Sequence, residues 1–204
     1  MRASLPALVA RQEIDAEFVQ LAGALFRREW LPVVRAAPAC TRWVRSWDLA
    51  FTEKTSSDYT AGALVGFGDG GGVIIKDMVR GRWEWPEAVA RVRQTALDDG
   101  PGVQQGVEVV GAQVGFLQTL QREPALAGIV LRPVEVHRDK LTRVLPVVAR
   151  AEQGKLVLVE GHWNHACIDE FCAFPESEHD DQVDAVSGAL QLVGAGETFA
   201  VAIT

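Results

Sequence analysis

Cysteine is scarce in this chain, which has three cysteines, Cys40, Cys167 and Cys172, among 204 residues. They are too few and too scattered to form a disulfide framework. Cys167 and Cys172 also lack the CxxC spacing that is typical of zinc and redox motifs. We therefore expect three reduced thiols that are mostly packed inside the protein.

Long apolar runs are absent as well. No segment approaches the roughly 18 apolar residues that a membrane span needs. The N-terminal stretch MRASLPALVARQEID lacks the sustained apolar core and the small-residue cleavage pattern of a secretory signal. These absences predict a cytoplasmic protein that is neither secreted nor associated with a membrane.

Positive charge is also in short supply, because 20 lysines and arginines face 27 aspartates and glutamates, a net charge of −7. A simple nucleic-acid-binding protein is usually basic. The composition argues against DNA binding unless some of the acids bind divalent cations, which reverse the local field, or a partner domain supplies a basic surface.

The pattern of apolar residues predicts a mixed α/β fold. Residues 16–31 have helical spacing, and 41–51 form a β-rich first strand. Two further apolar runs joined by the turn GDGGG predict a hairpin, so the first three strands are expected to be antiparallel. Helices and strands then alternate, and DDQVDAVSGALQLV is predicted to form the closing helix. The predicted fold is a sheet of three antiparallel leading strands followed by parallel strands, with helices on both faces.

Within this helix and strand pattern, two single acids and one acidic cluster stand out. Asp48 lies in the aromatic-rich first strand and Glu108 lies between valines in VEVV. An acid in an apolar strand is costly unless it is paired or binds a metal ion. Taken singly, each has an ordinary structural interpretation, since Asp48 fits a turn at a strand end and Glu108 fits the polar side of a half-exposed strand.

The cluster in HDDQVDA is harder to explain structurally. On a helical wheel Asp180 and Asp184 lie about 40° apart, and Asp181 and Asp184 lie about 60° apart, so one face carries two or three carboxylates. Capping of the helix N-terminus explains Asp180 and Asp181, but Asp184 is already one turn inside the helix. A hard divalent cation such as Mg²⁺ or Mn²⁺ would turn this repulsion into binding.

Acids from a first strand, a middle strand and a late helix are a common way to hold two ions about 3.5–4 Å apart around a phosphodiester. Asp48, Glu108 and the cluster can meet only if the first and fourth strands are neighbours and the last helix packs beside them. A sheet of the ribonuclease H type has that arrangement.

Four segments in this order, RSWDLAFTEKTSSDYTAG, VEVVGAQVGFLQTL, RPVEVHRDKLTRV and FPESEHDDQVDAVSGAL, resemble the C-terminal nuclease domain of the large terminase subunit of tailed bacteriophages. The resemblance covers about residues 24–193. It implies an RNase H-like endonuclease that cuts double-stranded, concatemeric viral DNA during genome packaging, in the cytoplasm of the host cell. It also implies two Mg²⁺ or Mn²⁺ ions when DNA is bound.

The resemblance also implies the roles of individual residues. The expected catalytic residues are Asp48, Glu108, Asp181 and Asp184, and the metal ligands are these four together with Asp180. We hypothesise that one ion is shared by Asp48 and the helix acids and the other by Asp48 and Glu108. Lys140 and Arg143 are candidate DNA contacts or, equally, part of a solvated helix face. Asp58 is either a neighbour of the site or a turn cap. His179 either helps to order the attacking water or is a capping or core histidine.

Full-length members of this family also carry an ATPase domain, yet the chain contains no GxxxxGK[ST] phosphate loop. We therefore interpret residues 1–35 as a helical segment that leads in from an ATPase domain, and residues 36–204 as the nuclease domain. The expected partners are double-stranded DNA, the terminase ATPase domain, the portal and the small terminase subunit. Two alternatives stay open: another RNase H-like enzyme such as a resolvase or transposase core, and a catalytically inactive docking module of a packaging complex.

Overall fold

The computed structural model describes residues 24–50, 59–111, 113–136 and 139–197. Their strands are β1 (Val33–Val34), β2 (Arg42–Asp48), β3 (Thr60–Phe67), β4 (Val73–Gly81), β5 (Gln104–Glu108), β6 (Leu131–Val134) and β7 (Leu156–Val159). Their α-helices are α1 (Trp85–Asp99), α2 (Gln113–Gln121), α3 (Lys140–Glu152), α4 (Asn164–Ala173) and α5 (Asp181–Glu197).

The strands form one seven-stranded mixed sheet in the order β1-β7-β4-β3-β2-β5-β6. Strands β2, β3 and β4 are antiparallel to one another. Strand β5 runs parallel to β2, and β6 runs parallel to β5. The sequence-based prediction of three antiparallel leading strands followed by parallel strands is confirmed. The predicted contact between the first long strand and the strand that carries Glu108 is also present.

Helices cover both faces of this sheet. Side chains of β2 alternate between the faces, so Val44 enters the core with α3, α4 and α5, whereas Trp47 enters the core with α1 and α2. Two layers of helices therefore bury the sheet, as predicted. Among the described residues, no helix combines the length and the apolar character that crossing a membrane requires.

Helix α5 lies unusually close to the centre of the sheet because two glycines leave room for it. A Cβ atom on Gly188 of α5 would lie 2.5 Å from Ser46 Oγ of β2. A Cβ atom on Gly106 of β5 would lie 2.8 Å from Leu192 Cδ2 of α5 and 2.9 Å from Val134 Cγ2. The glycines fix the distance between the last helix and the two central parallel strands.

Three predicted elements have different bounds in the structure. Of the helix predicted over 16–31, residues up to 23 lie outside the described residues, and residues 24–31 contain only a 3-10 turn at Arg28–Trp30, since the Leu25 amide donates to the Phe174 carbonyl oxygen. The pattern RDKLTRVLPVVARAEQG predicts a helix with a kink or a start near Pro146. Helix α3 begins at Lys140, six residues before Pro146, because Asp139 caps it, accepting from the Thr142 amide at 2.9 Å. The apolar run GVEVVG predicts a strand that begins at Gly106, whereas β5 begins two residues earlier, at Gln104.

Candidate metal centre

The two acids predicted from the strands lie next to each other at one edge of the sheet. Asp48 is the last residue of β2, and Glu108 is the last residue of β5. Because β2 and β5 are parallel and Trp47 pairs with Val107, the two carboxylates follow at the same level. Both side chains lie on the sheet face that α5 covers. Residues two apart in a strand point to the same face, and Ser46 and Gly106, two residues before Asp48 and Glu108, both face α5.

The acidic cluster lies beside this edge of the sheet, at the beginning of α5. Asp181 is the first residue of the helix, Asp184 lies one turn further on, and the Asp184 amide donates to the Asp180 carbonyl oxygen at 3.0 Å. Asp184 is 6% exposed. A pocket of about 390 Å³ opens between the helix start and the strand ends. Its walls include Asp48, Asp180, Asp181 and Asp184 together with Leu49, Ala50, Val110, Gln113, Lys140, Glu178 and His179.

Two cations from the first turn of α3 lie among these acids. Lys140 Nζ is 2.7 Å from Asp184 Oδ2 and also pairs with Asp180. Arg143 Nη1 is 3.1 Å from Glu108 Oε2, and its Nη2 is 3.4 Å from Asp184 Oδ1. Lys140 is partly exposed, whereas Arg143 is buried. Helix α3 thus supplies positive charge that links the strand acid Glu108 to the helix acid Asp184.

Burial and mutual repulsion raise the pKa values of the acids in this centre. The pKa of Asp48 lies well above its ordinary value, first because of burial and then because of the charges of Glu108, Asp184 and Asp181. Burial also raises the pKa values of Glu108, Asp181 and Asp184 against the opposing charges of their arginine and lysine partners. Acids that raise one another's pKa lie close enough to share a field, and a cation would relieve all of them.

The donor set suits a hard divalent cation, although the side chains are not arranged as a finished site. Within the described ranges, no three His, Cys, Asp or Glu side chains lie close enough together to hold a metal ion. Lys140 and Arg143 explain this, because their charged groups bind the oxygens that an ion would bind. Two observations favour a fit: all the candidate donors are carboxylate oxygens, and Asp181 Oδ2 is buried with no hydrogen-bond partner in the described structure.

Glu170, which the sequence analysis did not single out, holds the beginning of α5 in place. It is 7% exposed and lies on α4. Its Oε1 accepts from the Gln182 amide at 2.7 Å, and its Oε2 accepts from Gln182 Nε2 at 2.6 Å. Arg80 Nη2 lies 3.2 Å from Glu170 Oε2 and 3.6 Å from Asp181 Oδ2. Glu170 therefore caps the helix that carries Asp181 and Asp184 and connects it to β4.

Gln113 ties together the two strand ends that carry Asp48 and Glu108. Its Nε2 donates to the Leu49 carbonyl oxygen at 2.7 Å, and its Oε1 accepts from the Val110 amide at 2.7 Å. Leu49 directly follows Asp48, and Val110 comes two residues after Glu108. The side chain fixes the separation of these backbones. No pattern of spacing in the sequence points to Gln113 or Glu170, because Leu49, which Gln113 joins to Val110, and the partners of Glu170 are distant along the chain.

The remaining predicted residues fall in different places. Lys140 and Arg143 lie in the centre, paired with acids, instead of on a solvated helix face. His179 lines the pocket, and its ring meets the edge of Tyr59 with 5.0 Å between centroids. Asp58 lies outside the described residues. The structure thus brings Asp48, Glu108, Asp180, Asp181 and Asp184 to one edge of the sheet.

Comparison with protein families identifies the chain by this region. The model of the terminase RNase H-like domain matches residues 45–192, well over half of the chain, a range that includes all five clustered acids. The chain belongs to the terminase RNase H-like domain family. Among curated proteins, none matches the sequence closely enough to count as a relative.

Solved structures of large terminases share the fold. The large terminase nuclease of thermophilic phage G20c with bound magnesium is 16% identical, with a TM-score of 0.57, and the alignment covers 83% of this chain and 97% of that chain. A variant nuclease domain of the large terminase subunit gp2 of bacterial virus Sf6, with manganese and beta-thujaplicinol, is 13% identical, with a TM-score of 0.55 and coverages of 83% and 97%. The HK97 bacteriophage large terminase is 11% identical, with a TM-score of 0.59 and coverages of 83% and 43%.

Identities this low establish the RNase H-like fold of this terminase domain and nothing finer. Family membership adds support for a nuclease role. The presence of magnesium and manganese in two of the neighbours supports the use of a divalent metal ion in the family.

Proposed function

We propose that this terminase domain is a divalent-metal-dependent endonuclease that cuts double-stranded viral DNA during genome packaging in the host cell. One observation carries the proposal. Asp48 and Glu108 end two adjacent parallel strands on one face of the sheet, directly opposite the helix start that bears Asp181 and Asp184. Burial raises the pKa of all four carboxylates, and the charges of Glu108, Asp184 and Asp181 raise that of Asp48 further, a cost that a bound cation would relieve.

We further propose that Asp48, Glu108, Asp181, Asp184 and Asp180 hold two Mg²⁺ or Mn²⁺ ions, with Asp48 shared between them. When bound, such ions neutralise the charge of the scissile phosphate and lower the pKa of an attacking water. The protein's own contribution is to fix the oxygens. Glu170 fixes the helix acids through the Gln182 amide, and Gln113 fixes the two strand ends.

Lys140 and Arg143 take different proposed roles in this centre. Arg143 is buried between Glu108 and Asp184, so it neutralises and orients these two carboxylates. Lys140 is more exposed and lies at the pocket wall, where its ammonium group is within reach of a DNA phosphate once the acids bind metal ions. We therefore keep Lys140 as the stronger DNA-contact candidate of the two.

Family membership extends the proposal to the partners. We propose that residues 1–35 lead in from the terminase ATPase domain and that the packaging partners are that domain, the portal and the small terminase subunit. The alignment with the HK97 large terminase, of which the matched region is 43%, supports the interpretation that this domain is one part of a longer subunit.

The direct test is incubation of supercoiled and linear duplex DNA with the protein and Mn²⁺, Mg²⁺ or a chelator. We expect cleavage with either metal ion and none with the chelator. Asp48→Asn and Glu108→Gln should each abolish cleavage, whereas Asp98→Asn, which removes an exposed acid of α1, should leave it unchanged. Preferential cutting of a four-way junction or of an RNA/DNA hybrid over duplex DNA would indicate that the protein belongs to another class of RNase H-like enzyme.

The ion pairs that Lys140 and Arg143 make with the acids favour a second candidate, a catalytically inactive docking module of the packaging complex. In such a module the two cations would satisfy the carboxylates permanently. The two candidates differ in their response to Mn²⁺. An inactive module shows no rise in melting temperature with the ion and no cleavage, whereas an active centre shows both.

A further inference from the structure

Two arginines lie over one tyrosine beside the acidic centre. Arg80 Cζ is 3.8 Å and Arg82 Cζ is 4.2 Å from the centroid of the Tyr59 ring. The His179 ring meets the edge of the same tyrosine. We call Tyr59, Arg80, Arg82 and His179 the arginine–tyrosine patch. Both guanidinium groups lie within the roughly 6 Å at which a cation is attracted to the face of an aromatic ring.

The strand register places this patch in line with the proposed catalytic acids. Arg80 of β4 pairs with Ala61 of β3, and Ala61 pairs with Asp48 of β2. Residues directly opposite each other in an antiparallel pair point to the same face, so Arg80 and Asp48 share the face that α5 covers. Neighbouring strands lie about 4.8 Å apart, which puts the patch roughly 10 Å from Asp48 along this edge.

Within the patch the two arginines are held differently. Arg80 is anchored by Glu170 and Asp181, and its side chain is 22% exposed. Arg82 is the exposed member, and its guanidinium group also lies against the ring. The tyrosine therefore restricts the orientation of the guanidinium group of an exposed residue. Arginine in a fixed orientation binds phosphate oxygens through two parallel hydrogen bonds.

We propose that the arginine–tyrosine patch binds the phosphate backbone of the DNA strand that flanks the scissile phosphate. This proposal rests on the nuclease function proposed above. Along a duplex, successive phosphates of one strand are about 3.4 Å apart in axial rise. The roughly 10 Å from Asp48 to the patch is therefore short enough for the patch to contact a phosphate near the cleavage position. The patch would also give a chain with a net charge of −7 a positively charged contact for DNA beside its acids.

The test compares two exposed arginines that both lie over aromatic rings. Arg82→Ala removes the proposed phosphate contact. Arg91→Ala removes a matched arginine of α1, whose Cζ lies 5.4 Å from the Trp83 ring in the part of the structure that packs on the opposite sheet face. Binding to a fluorescein-labelled short duplex is measured by anisotropy in a chelator, so that no DNA is cut.

We expect Arg82→Ala to weaken duplex binding about tenfold at low salt, the loss typical of one charge-assisted hydrogen-bonded contact. The slope of log K against log salt should fall by about 1, and Arg91→Ala should change neither quantity. Arg82→Lys keeps the charge but loses the paired geometry, so its affinity should lie between those of the wild type and Arg82→Ala. Unchanged circular dichroism and melting temperature confirm that each variant is folded.

Three results would overturn the proposal. Arg82→Ala could bind DNA like the wild type, or the two alanine variants could lose affinity equally, which would indicate only a general charge effect. Stronger competition for the patch by an acidic peptide than by DNA would reassign it to a protein partner. If the wild type cuts duplex DNA while Arg82→Ala binds normally, only the patch fails. If the wild type neither binds nor cuts DNA, the proposed function fails with it.

Discussion

At the scale of single residues, Asp48 combines central position with poor charge compensation. Among the described residues no side chain or backbone amide donates a hydrogen bond to its carboxylate, and its neighbours Glu108, Asp184 and Asp181 raise its pKa further beyond the effect of burial. The ionised form is therefore destabilising in the absence of a bound cation. The described part of the fold gives this carboxylate no hydrogen-bond donor that would offset its burial, so its cost points to a functional reason.

This leads to a prediction for Asp48→Asn. Because the pKa in the folded protein lies above the ordinary value of 3.8, the stability contributed by the protonated form is present below about pH 3.8 and is lost as the pH rises through the folded pKa. In a chelator at neutral pH the variant should therefore melt higher than the wild type, by about 2–4 °C for each kcal/mol relieved. The difference should shrink as the pH falls.

Thermal unfolding of both proteins over a series of pH values checks this prediction. Asp98→Asn serves as the control, because Asp98 is exposed on α1 and its melting curve should follow that of the wild type. A variant Asp48→Asn that melts lower than the wild type at every pH would show that the carboxylate has a structural role.

Glu170 gives a second prediction, which separates positioning from stability. Glu170→Ala removes the acceptor of the Gln182 amide and the nearer of the two carboxylates that pair with Arg80. Loss of one member of a buried ion pair costs about 3–5 kcal/mol, and loss of a group that orients metal ligands costs about 10–100-fold in metal affinity. We expect both effects, measured by denaturant unfolding and by calorimetric titration with Mn²⁺.

The matched control for Glu170 is Asp99, a buried acid on the other side of the sheet. Asp99 Oδ2 accepts from Arg45 Nε at 2.6 Å, and Arg45 is 2% exposed. Asp99→Ala should lower the free energy of unfolding to a similar degree and leave Mn²⁺ affinity unchanged. Equal loss of affinity in the two variants would mean that Glu170 acts only through global stability. If Glu170→Ala does not fold, Glu170→Gln takes its place.

The residues of the centre divide into those that sequence can reveal and those that it cannot. Asp48 and Glu108 stand out because an acid in an apolar strand violates the hydrophobic pattern, and Asp184 because it repeats an acid one turn into a helix. Glu170 and Gln113 violate no pattern. Each looks like an ordinary polar residue of a helix, and its role depends on contacts with partners that only the folded chain brings near.

At the scale of elements, the position of α5 relative to β2 decides whether the helix acids reach the strand acids. Gly188 sets that position. Gly188→Ala would normally stabilise a helix interior by about 1 kcal/mol. Here the new Cβ would lie 2.5 Å from Ser46 Oγ, so we expect a net loss of about 1–3 kcal/mol from overpacking and a displacement of the helix.

The double variant Ser46→Ala with Gly188→Ala tests whether this contact is the cause. With the hydroxyl removed, the nearest remaining atom of residue 46 is Cβ at 3.5 Å, which is an ordinary van der Waals distance. The double variant should recover the stability and the Mn²⁺ affinity that Gly188→Ala alone loses. Additive losses in denaturant unfolding of the four proteins of this cycle would contradict the assignment.

Element boundaries show where pattern reasoning stops. The run GVEVVG marks the end of β5 but misses Gln104 and Gln105 at its beginning, because two glutamines do not look like a buried strand. Gln105 is nevertheless fully buried, since its Oε1 accepts from Trp47 Nε1 at 3.0 Å and its Nε2 donates to Asp99 at 2.9 Å. Polar side chains are acceptable in a core when every group finds a partner, and those partners are not visible in the local sequence.

At the scale of the whole molecule, we expect the acids of the centre to make stability depend on pH and, under the proposed function, on divalent ions. The pKa values of Asp48, Glu108, Asp181 and Asp184 are all raised in the folded protein. In a chelator their ionisation should therefore make the protein less stable as the pH rises through these values. Under the proposed function Mn²⁺ would bind the ionised carboxylates and compete with Lys140 and Arg143 for them, so protons would compete with the ion.

We expect the melting temperature to fall with rising pH in a chelator, whereas the rise in melting temperature that Mn²⁺ causes should grow with rising pH. At 100 times its dissociation constant a ligand stabilises the folded state by about 2.7 kcal/mol, which corresponds to a rise of about 5–10 °C for a domain of this size. We expect that rise near neutral pH and its loss as the acids become protonated. Parallel melts in NaCl of equal ionic strength separate binding from charge screening. A Mn²⁺ effect that is constant with pH, or is matched by NaCl, would place the ion elsewhere than on these carboxylates.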